Sequence, residues 1–357
     1  MGNSCTKTLL SKICPTKNFP YSRLQNIENS ENKFNYKKIK VLQLSSSNEF
    51  ILQGNYKKLE NYDILKSFLN KPLVKIYMNQ IFKPNKTIKK FQYQKIKGIY
   101  NQIKPDIDKL FSRYKIKCTI PKSKFNVEVI AYKLSCNPST EEDLDMYFPI
   151  FFMELCLYPT SFIKKSQIKQ IVFVHDIEFT TPYYSQERSG CPDYYDTKGL
   201  ILSTQERNFA YIRIVFHHEF FHYIDWIDDK SYDDDEWNKL NEPNFKYGKG
   251  GEYERTWIKL DPNVKGFINH YSTSALEEDK AEIYQYLIGC PDEALHNKDD
   301  IVKKKALRIQ KFINDFNQEG IGNAKVNFWN NLIDFRKEFV YKESVYQGNI
   351  HLLKEKK

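Results

Sequence analysis

The stretch Gly199 to Ile227, GLILSTQERNFAYIRIVFHHEFFHYIDWI, constrains this chain more than any other. GLILS reads as a short buried strand, and the residues that follow it as one long, strongly apolar helix. A helix of that kind belongs inside a protein, packed on several sides. Yet it carries His217, His218, Glu219 and His222, groups that are costly to bury without partners. Those partners have to come from elsewhere in the chain.

The surrounding pattern says what else is available. Apolar residues recur at helical spacing over 85–114, and Pro105 predicts a kink or break there. Residues 125–134 alternate as a strand does, and Ser139, Thr140, Glu141 and Glu142 supply capping residues for a helix running to about 163. A buried strand at 170–179 and a loop at 180–198 precede GLILS. After the histidines comes an acidic irregular stretch, then helices at 274–289, 299–317 and 324–342. This order implies an α+β fold, a mixed sheet packed on helices, with a helical C-terminal half. It divides the chain into a tail over 1–37, a segment of open assignment over 38–84, a folded domain over 85–342 and a tail over 343–357.

Composition narrows the class. At 357 residues, 41% hydrophobic and 15% aromatic, the chain can bury a core without disulfides. Its seven cysteines are scattered singly with no CxxC pair, a pattern of reducing compartments. The two Cys-Pro-Asp triplets, at Cys191 and Cys290, read as turns rather than ligands. The most apolar window, FPIFFMELCLYP at 148–159, is too short to span a bilayer and contains Glu154, so it reads as a buried helix.

Net charge is +10, and the first 120 residues hold 24 Lys and Arg against 7 acids. No phosphate-binding loop, zinc knuckle or base-reading helix accompanies that excess, so no nucleic-acid partner is expected. The start, MGNSCTK, fits the N-myristoylation pattern at Gly2 and places Cys5 for palmitoylation. Two acyl chains, or one with Lys7, Lys12 and Lys17, anchor a protein stably to membrane lipid. The expected location is therefore the cytoplasmic face of a membrane.

His218-Glu219-Phe220-Phe221-His222 is an HExxH motif. Residues i and i+4 of a helix share a side, so His218 and His222 can offer two imidazoles to one zinc ion, while Glu219 can deprotonate the water that zinc acidifies. His217 points off that face and reads as packing or solvent-facing. A third ligand is needed. The extended HExxHxxGxxH form is absent, because positions 225 and 228 are Asp, and His270, His296 and His351 sit in no pattern. The helix ALEEDKAEIYQYLI offers Glu278 and, one turn on, Glu282, which can take an N–H from a ligand histidine if Glu278 binds zinc. The same helix also reads as a surface helix whose acidic first turn suits the helix dipole. Asp225 is open between a place beside the ion and a surface or capping carboxylate. The acidic run from Asp225 to Glu236 is open between steering a basic substrate and lying as solvated loop.

HEFFH followed by Tyr271-STSALE-Glu278-Asp279-Lys280-Ala281-Glu282 resembles the zinc peptidases of the anthrax lethal factor type and the related Pro-Pro endopeptidases. The resemblance covers roughly 85–340, its specific part lying between about 199 and 288. It implies a zincin-like metallopeptidase fold with the HExxH helix at the base of the cleft. It also implies Zn2+ on His218, His222 and Glu278, with Glu219 as general base and Tyr271 lining the site. GLILS would be the strand that pairs with extended substrate. Phe221 stands where relatives often carry Gly, and DDDEW at 233–237 is an insertion. The expectation is a zinc-dependent endopeptidase acting on a peptide or protein. The alternatives are a retired or non-peptidase zinc protein that binds peptides at a membrane, and a membrane adaptor whose HExxH is accidental.

Overall fold

The computed structural model describes residues 59–81, 92–128, 132–182, 185–206, 209–229, 232–248, 250 and 264–318. Gly2, Cys5, both tails, the division at 84 and the helix expected over 324–342 lie outside the described residues.

Three helices open the described chain: α1 (Tyr62–Leu69), α2 (Pro72–Ile81) and α3 (Ile99–Tyr114). Helix α3 begins after Gly98, whose φ of 82° suits a residue without a side chain. It contains Pro105 rather than breaking there. The missing bond and ring clash cost about 3 kcal/mol. Ile99, Ile103, Ile107, Leu110 and Phe111 are all buried along one face, each contributing roughly 1.5–3 kcal/mol, which outweighs it. Asn61, just before α1, donates to the Tyr114 hydroxyl at 2.7 Å and to the Tyr158 carbonyl at 2.9 Å, tying α1 to the main core.

A seven-stranded mixed sheet follows, with β4 (Gln170–Thr180) as its spine. The first half of β4 pairs in parallel with β1 (Lys117–Thr119) and with β7 (Gly199–Ser203). Its second half pairs antiparallel with β3 (Lys133–Pro138) and β5 (Ser185–Arg188). Strand β2 (Phe125–Glu128) lies outside β3, and β6 (Gly190–Asp193) lies antiparallel outside β7. Ile171, Phe173, Leu200 and Leu202 face the helical core, while Val172, Val174, Phe179 and Ile201 form a second cluster on the other face.

Four expectations need correcting. The strand expected over 125–134 is a hairpin, since Glu128 pairs with Lys133. The helix expected to run to 163 is two, α4 (Glu141–Leu155) and α5 (Thr160–Lys165), with Pro159 in extended conformation between them. The loop at 180–198 contains β5 and β6, so Cys191-Pro192-Asp193 is strand and not turn. GLILS is therefore not an edge: β7 has a neighbour on both sides, and β6 takes the outer position.

The C-terminal half is helical: α6 (Phe209–Asp229), α7 (Asp235–Asn238), α8 (Leu276–Gly289), α9 (Pro291–Leu295) and α10 (Asp300–Gln318). Helix α6 is central, packed against α4, α8 and β6. Phe216 meets Phe151 of α4 with ring centroids 5.2 Å apart, and Phe221 meets Tyr284 of α8 at 4.8 Å. Helix α8 is buried on nearly every face, with residues 279–289 all buried, so it is not the surface helix its acidic first turn also allowed. Among the described residues no helix is long and apolar enough to cross a membrane.

Candidate metal centre

The antiparallel packing of α6 on α8 brings one turn of each helix face to face. His218 and His222, four apart on α6, point the same way toward Glu278 in the first turn of α8. His218 Nε2 lies 3.0 Å from His222 Nε2 and 3.1 Å from Glu278 Oε2, and His222 Nε2 lies 3.3 Å from the same oxygen. Both histidines are buried and Glu278 partly so. Zinc–ligand bonds of about 2.0–2.1 Å in tetrahedral array put ligand atoms roughly 3.3 Å apart. Two imidazole nitrogens and a carboxylate oxygen converging at that spacing fit one shared cation, and the donor set of two nitrogens and an oxygen is one that zinc accepts.

Glu219 is next to His218 but is turned toward the sheet. Its side chain lies against the backbone of Gly190 on β6, so closely that a Cβ built there would stand 2.4 Å from Glu219 Cγ. Burial raises the pKa of Glu219 above the usual carboxylate range, with the charges of His218 and His222 pulling the other way. Tyr271 sits in a short turn before α8, its ring 6.0 Å from that of His218. Its phenol is hydrogen-bonded to Glu278. Burial, followed by the Glu278 carboxylate, holds the phenol well above its ordinary pKa.

Behind these groups Glu282 Oε1 is 3.1 Å from His218 Nδ1, without the alignment of a full hydrogen bond. Its other oxygen accepts from Asn269 Nδ2 at 2.6 Å. Asn269 also accepts from the Ser272 N–H at 2.9 Å, so a single amide links Glu282 to the turn carrying Tyr271. Sequence reasoning missed Asn269. Its place next to the Ser272 turn was the available signal, since Asn caps such turns with its own side chain.

His217 is fully buried and is not solvent-facing. Its Nε2 is 2.8 Å from Glu154 of α4, and its Nδ1 is 2.7 Å from the Tyr158 hydroxyl, which in turn meets the Tyr284 hydroxyl of α8 at 2.9 Å. Arg213 donates to Glu154 at 3.0 Å and to the Gly289 carbonyl at 2.9 Å. These polar groups bind α4, α6 and α8 together, away from the ligand atoms of His218 and His222. Asp225 is buried as well, paired with Lys280 of α8 at 3.2 Å. Asp234 also pairs with Lys280, at 3.3 Å, and with Arg308 at 2.9 Å. Two acids of the run at 225–236 are thus matched by cations of α8 and α10.

The His222 carbonyl accepts from the Tyr194 hydroxyl at 3.2 Å, and Tyr194 and Tyr232 are hydrogen-bonded to each other. Both tyrosines come from irregular segments, where no periodicity marks them in sequence.

Comparison with curated proteins finds no match. Among solved structures, a protein from Bacteroides caccae ATCC 43185 superposes with a TM-score of 0.40 at 16% identity, covering 68% of this chain and 95% of its own. Residues 157–321 match the family described as "Putative zinc-binding metallo-peptidase", a description the Bacteroides caccae protein shares, and that span includes His218, Glu219, His222, Tyr271, Glu278 and Glu282.

Proposed function

We propose that this chain is a zinc-dependent peptidase with a zincin-like arrangement, its ion held by His218 Nε2, His222 Nε2 and Glu278 Oε2. The observation that carries the proposal is the convergence of those three atoms within 4.8 Å of one another, with a carboxylate one residue along the same helix. The family match over 157–321 supports it. Zinc, when bound, supplies a Lewis acid that acidifies water and polarises a carbonyl.

The chain's own residues do the rest. Glu219, its pKa raised by burial, takes the proton of the attacking water and returns it to the leaving amine. Tyr271 donates its phenolic proton to the developing oxyanion, a hydrogen bond of the kind worth about 3 kcal/mol elsewhere. Glu282 faces the Nδ1–H of His218 and so fixes which nitrogen is left for the metal. Extended substrate lies along the outer edge of β6, the strand against which Glu219 packs. Acylation at Gly2 and Cys5 belongs to the same proposal and holds the enzyme at a membrane.

The test is metal content followed by cleavage. The full chain should carry one equivalent of zinc, and His218→Ala/His222→Ala should carry none. The zinc-loaded protein should cut members of a diverse peptide library, and Glu219→Gln should cut them about 10²–10⁴-fold more slowly. Folded protein that takes up no zinc, or equal cleavage by the two proteins, would overturn the proposal.

A further inference from the structure

Five exposed lysines gather at one end of the sheet. Strands β1, β4 and β7 run parallel side by side, and a lysine stands at the start of each: Lys117, Lys169 and Lys198. The Lys117 N–H donates to the Lys169 carbonyl at 2.9 Å, and the Lys169 N–H donates to the Lys198 carbonyl at 2.8 Å. The three are thus consecutive neighbours across the sheet. Lys115 caps the end of α3 just before β1, and Lys164 lies in the last turn of α5, which leads to Lys169.

Adjacent strands are about 4.8 Å apart, inside the screening length of roughly 8 Å at physiological salt. Like charges at that spacing repel. Among the described residues none of the five has an ion pair, while Lys104, Lys109 and Arg113 of α3 are all paired. Asp196, exposed two residues before Lys198, counts one charge against the five. Lys115 and Lys164 complement the dipole at the ends of their helices, but the strand starts have no such use for a cation. Lys115 and Lys198 also take the left-handed backbone conformation, at φ of 59° and 50°, where a side chain is unfavourable. Local folding therefore does not account for lysine at these places.

The chain itself leads to this end of the sheet. Residues 1–58, which hold Gly2, Cys5, Lys7, Lys12 and Lys17, join the described structure at Leu59. The Glu60 side chain accepts from the Thr160 N–H of α5 at 3.0 Å, and the Glu60 carbonyl accepts from Arg113, two residues before Lys115, at 3.1 Å. The segment with the acylation pattern thus enters the fold beside the lysines. Lysine is a compact charge on a flexible stem, suited to a fluid layer of anionic headgroups, and clusters of four to eight basic residues bind such layers.

We propose that Lys115, Lys117, Lys164, Lys169 and Lys198 form the face of this protein that lies on an anionic phospholipid surface. The proposal is independent of the zinc site, and it adds to the acylation reading the side of the fold that meets the membrane.

The experiment uses full-length Gly2→Ala/Cys5→Ser protein, so that its outcome does not depend on acylation. Vesicles are of phosphatidylcholine alone or of roughly 3:1 phosphatidylcholine and phosphatidylserine, and binding is read by sedimentation at physiological salt. The protein should bind the mixed vesicles at least about tenfold more tightly. Each lysine at such a surface contributes about fivefold, so Lys117→Gln/Lys169→Gln/Lys198→Gln should weaken binding by about 10²-fold. Lys124→Gln/Lys246→Gln/Lys304→Gln removes the same charge at exposed positions outside the cluster, and should weaken it by less than about threefold. Zinc content and Tm should be unchanged in both.

Equal weakening by the two triple variants, or equal binding to both kinds of vesicle, would overturn the inference. So would tighter binding of soluble polyglutamate or duplex DNA than of mixed vesicles, since the face would then serve an acidic polymer. Should the first triple variant fail to fold, Lys198→Gly carries the test. Glycine suits the backbone there, so this variant should be more stable than the wild type and still bind mixed vesicles about fivefold less tightly. A gain in stability with no loss of binding would also overturn the inference.

Discussion

Glu219 packs against Gly190 with no room for a methyl group between them: a Cβ on Gly190 would lie 2.4 Å from Glu219 Cγ and 2.9 Å from Cδ. The glycine is needed here for close approach rather than for backbone freedom. Gly190→Ala should push the Glu219 carboxylate aside while leaving His218, His222 and Glu278 in place. Displacing a reacting group by about 1 Å costs on the order of 10²-fold in rate. The expected result is a loss of that size in kcat with one equivalent of zinc retained, checked by metal analysis and steady-state kinetics on the same preparation.

Glu282 meets His218 from behind the ligand cluster, and Asn269 holds Glu282 in place. Removing the carboxylate charge frees the imidazole to rotate and to exchange its tautomer. Partners of this kind typically contribute 10–100-fold in metal affinity. Glu282→Gln should weaken zinc binding by about that factor, measured by competition with a chromophoric chelator, and Asn269→Ala should do so to a smaller extent. Unchanged affinity in Glu282→Gln would show that the contact does not orient the ligand.

Much of this was legible in the sequence, for identifiable reasons. His218 and His222 are four apart on one helix, so their shared side follows from helix geometry, and Glu278 and Glu282 are one turn apart for the same reason. What was not legible depends on tertiary neighbours. Glu128 pairs with Lys133, yet the sequence between them, VIAY, contains no turn residue, so two strands read as one. Strand β6 carries Pro192, which demotes a strand reading, yet an edge position tolerates the missing N–H. The burial of α8 was hidden because its acids and Lys280 look solvent-facing until their partners on α6 and α10 are known. Arg188 lay in a segment taken as loop, and its place over the Phe179 ring, 3.9 Å from the centroid, is a cross-strand relation that no local pattern encodes.

Lys305 and Asp279 are both fully buried and stand 2.6 Å apart, joining α10 to the first turn of α8. Lys305 also donates to the Gly266 carbonyl at 2.7 Å, and Asp279 accepts from Trp237 Nε1 at 2.8 Å and the Tyr247 hydroxyl at 2.6 Å. Lys305→Met leaves the carboxylate in place without its counter-charge. Breaking a buried pair from one side costs about 3–5 kcal/mol. Urea unfolding should show a loss in that range, and Lys305→Met/Asp279→Asn should recover part of it. Because Asp279 adjoins Glu278, the single variant should also bind zinc more weakly.

Asp63 of α1 accepts two hydrogen bonds from Arg113 of α3, at 3.0 and 2.9 Å, and one from Lys109 at 3.0 Å. The Arg113 bonds in particular hold its carboxyl well below the usual carboxylate range. A folded-state pKa depressed below the unfolded value of about 3.9 stabilises the fold fully above that value, and the stabilisation is lost as pH falls through the folded pKa. Asp63 is half exposed, so solvent screening keeps the effect modest. The gap in urea midpoint between wild type and Asp63→Asn should therefore be constant from pH 7 down to about pH 5 and should narrow below about pH 4. A gap that widened on acidification would mean that the carboxylate is not held ionised by Arg113, and that α1 is fixed to α3 by Asn61 and the buried apolar residues alone.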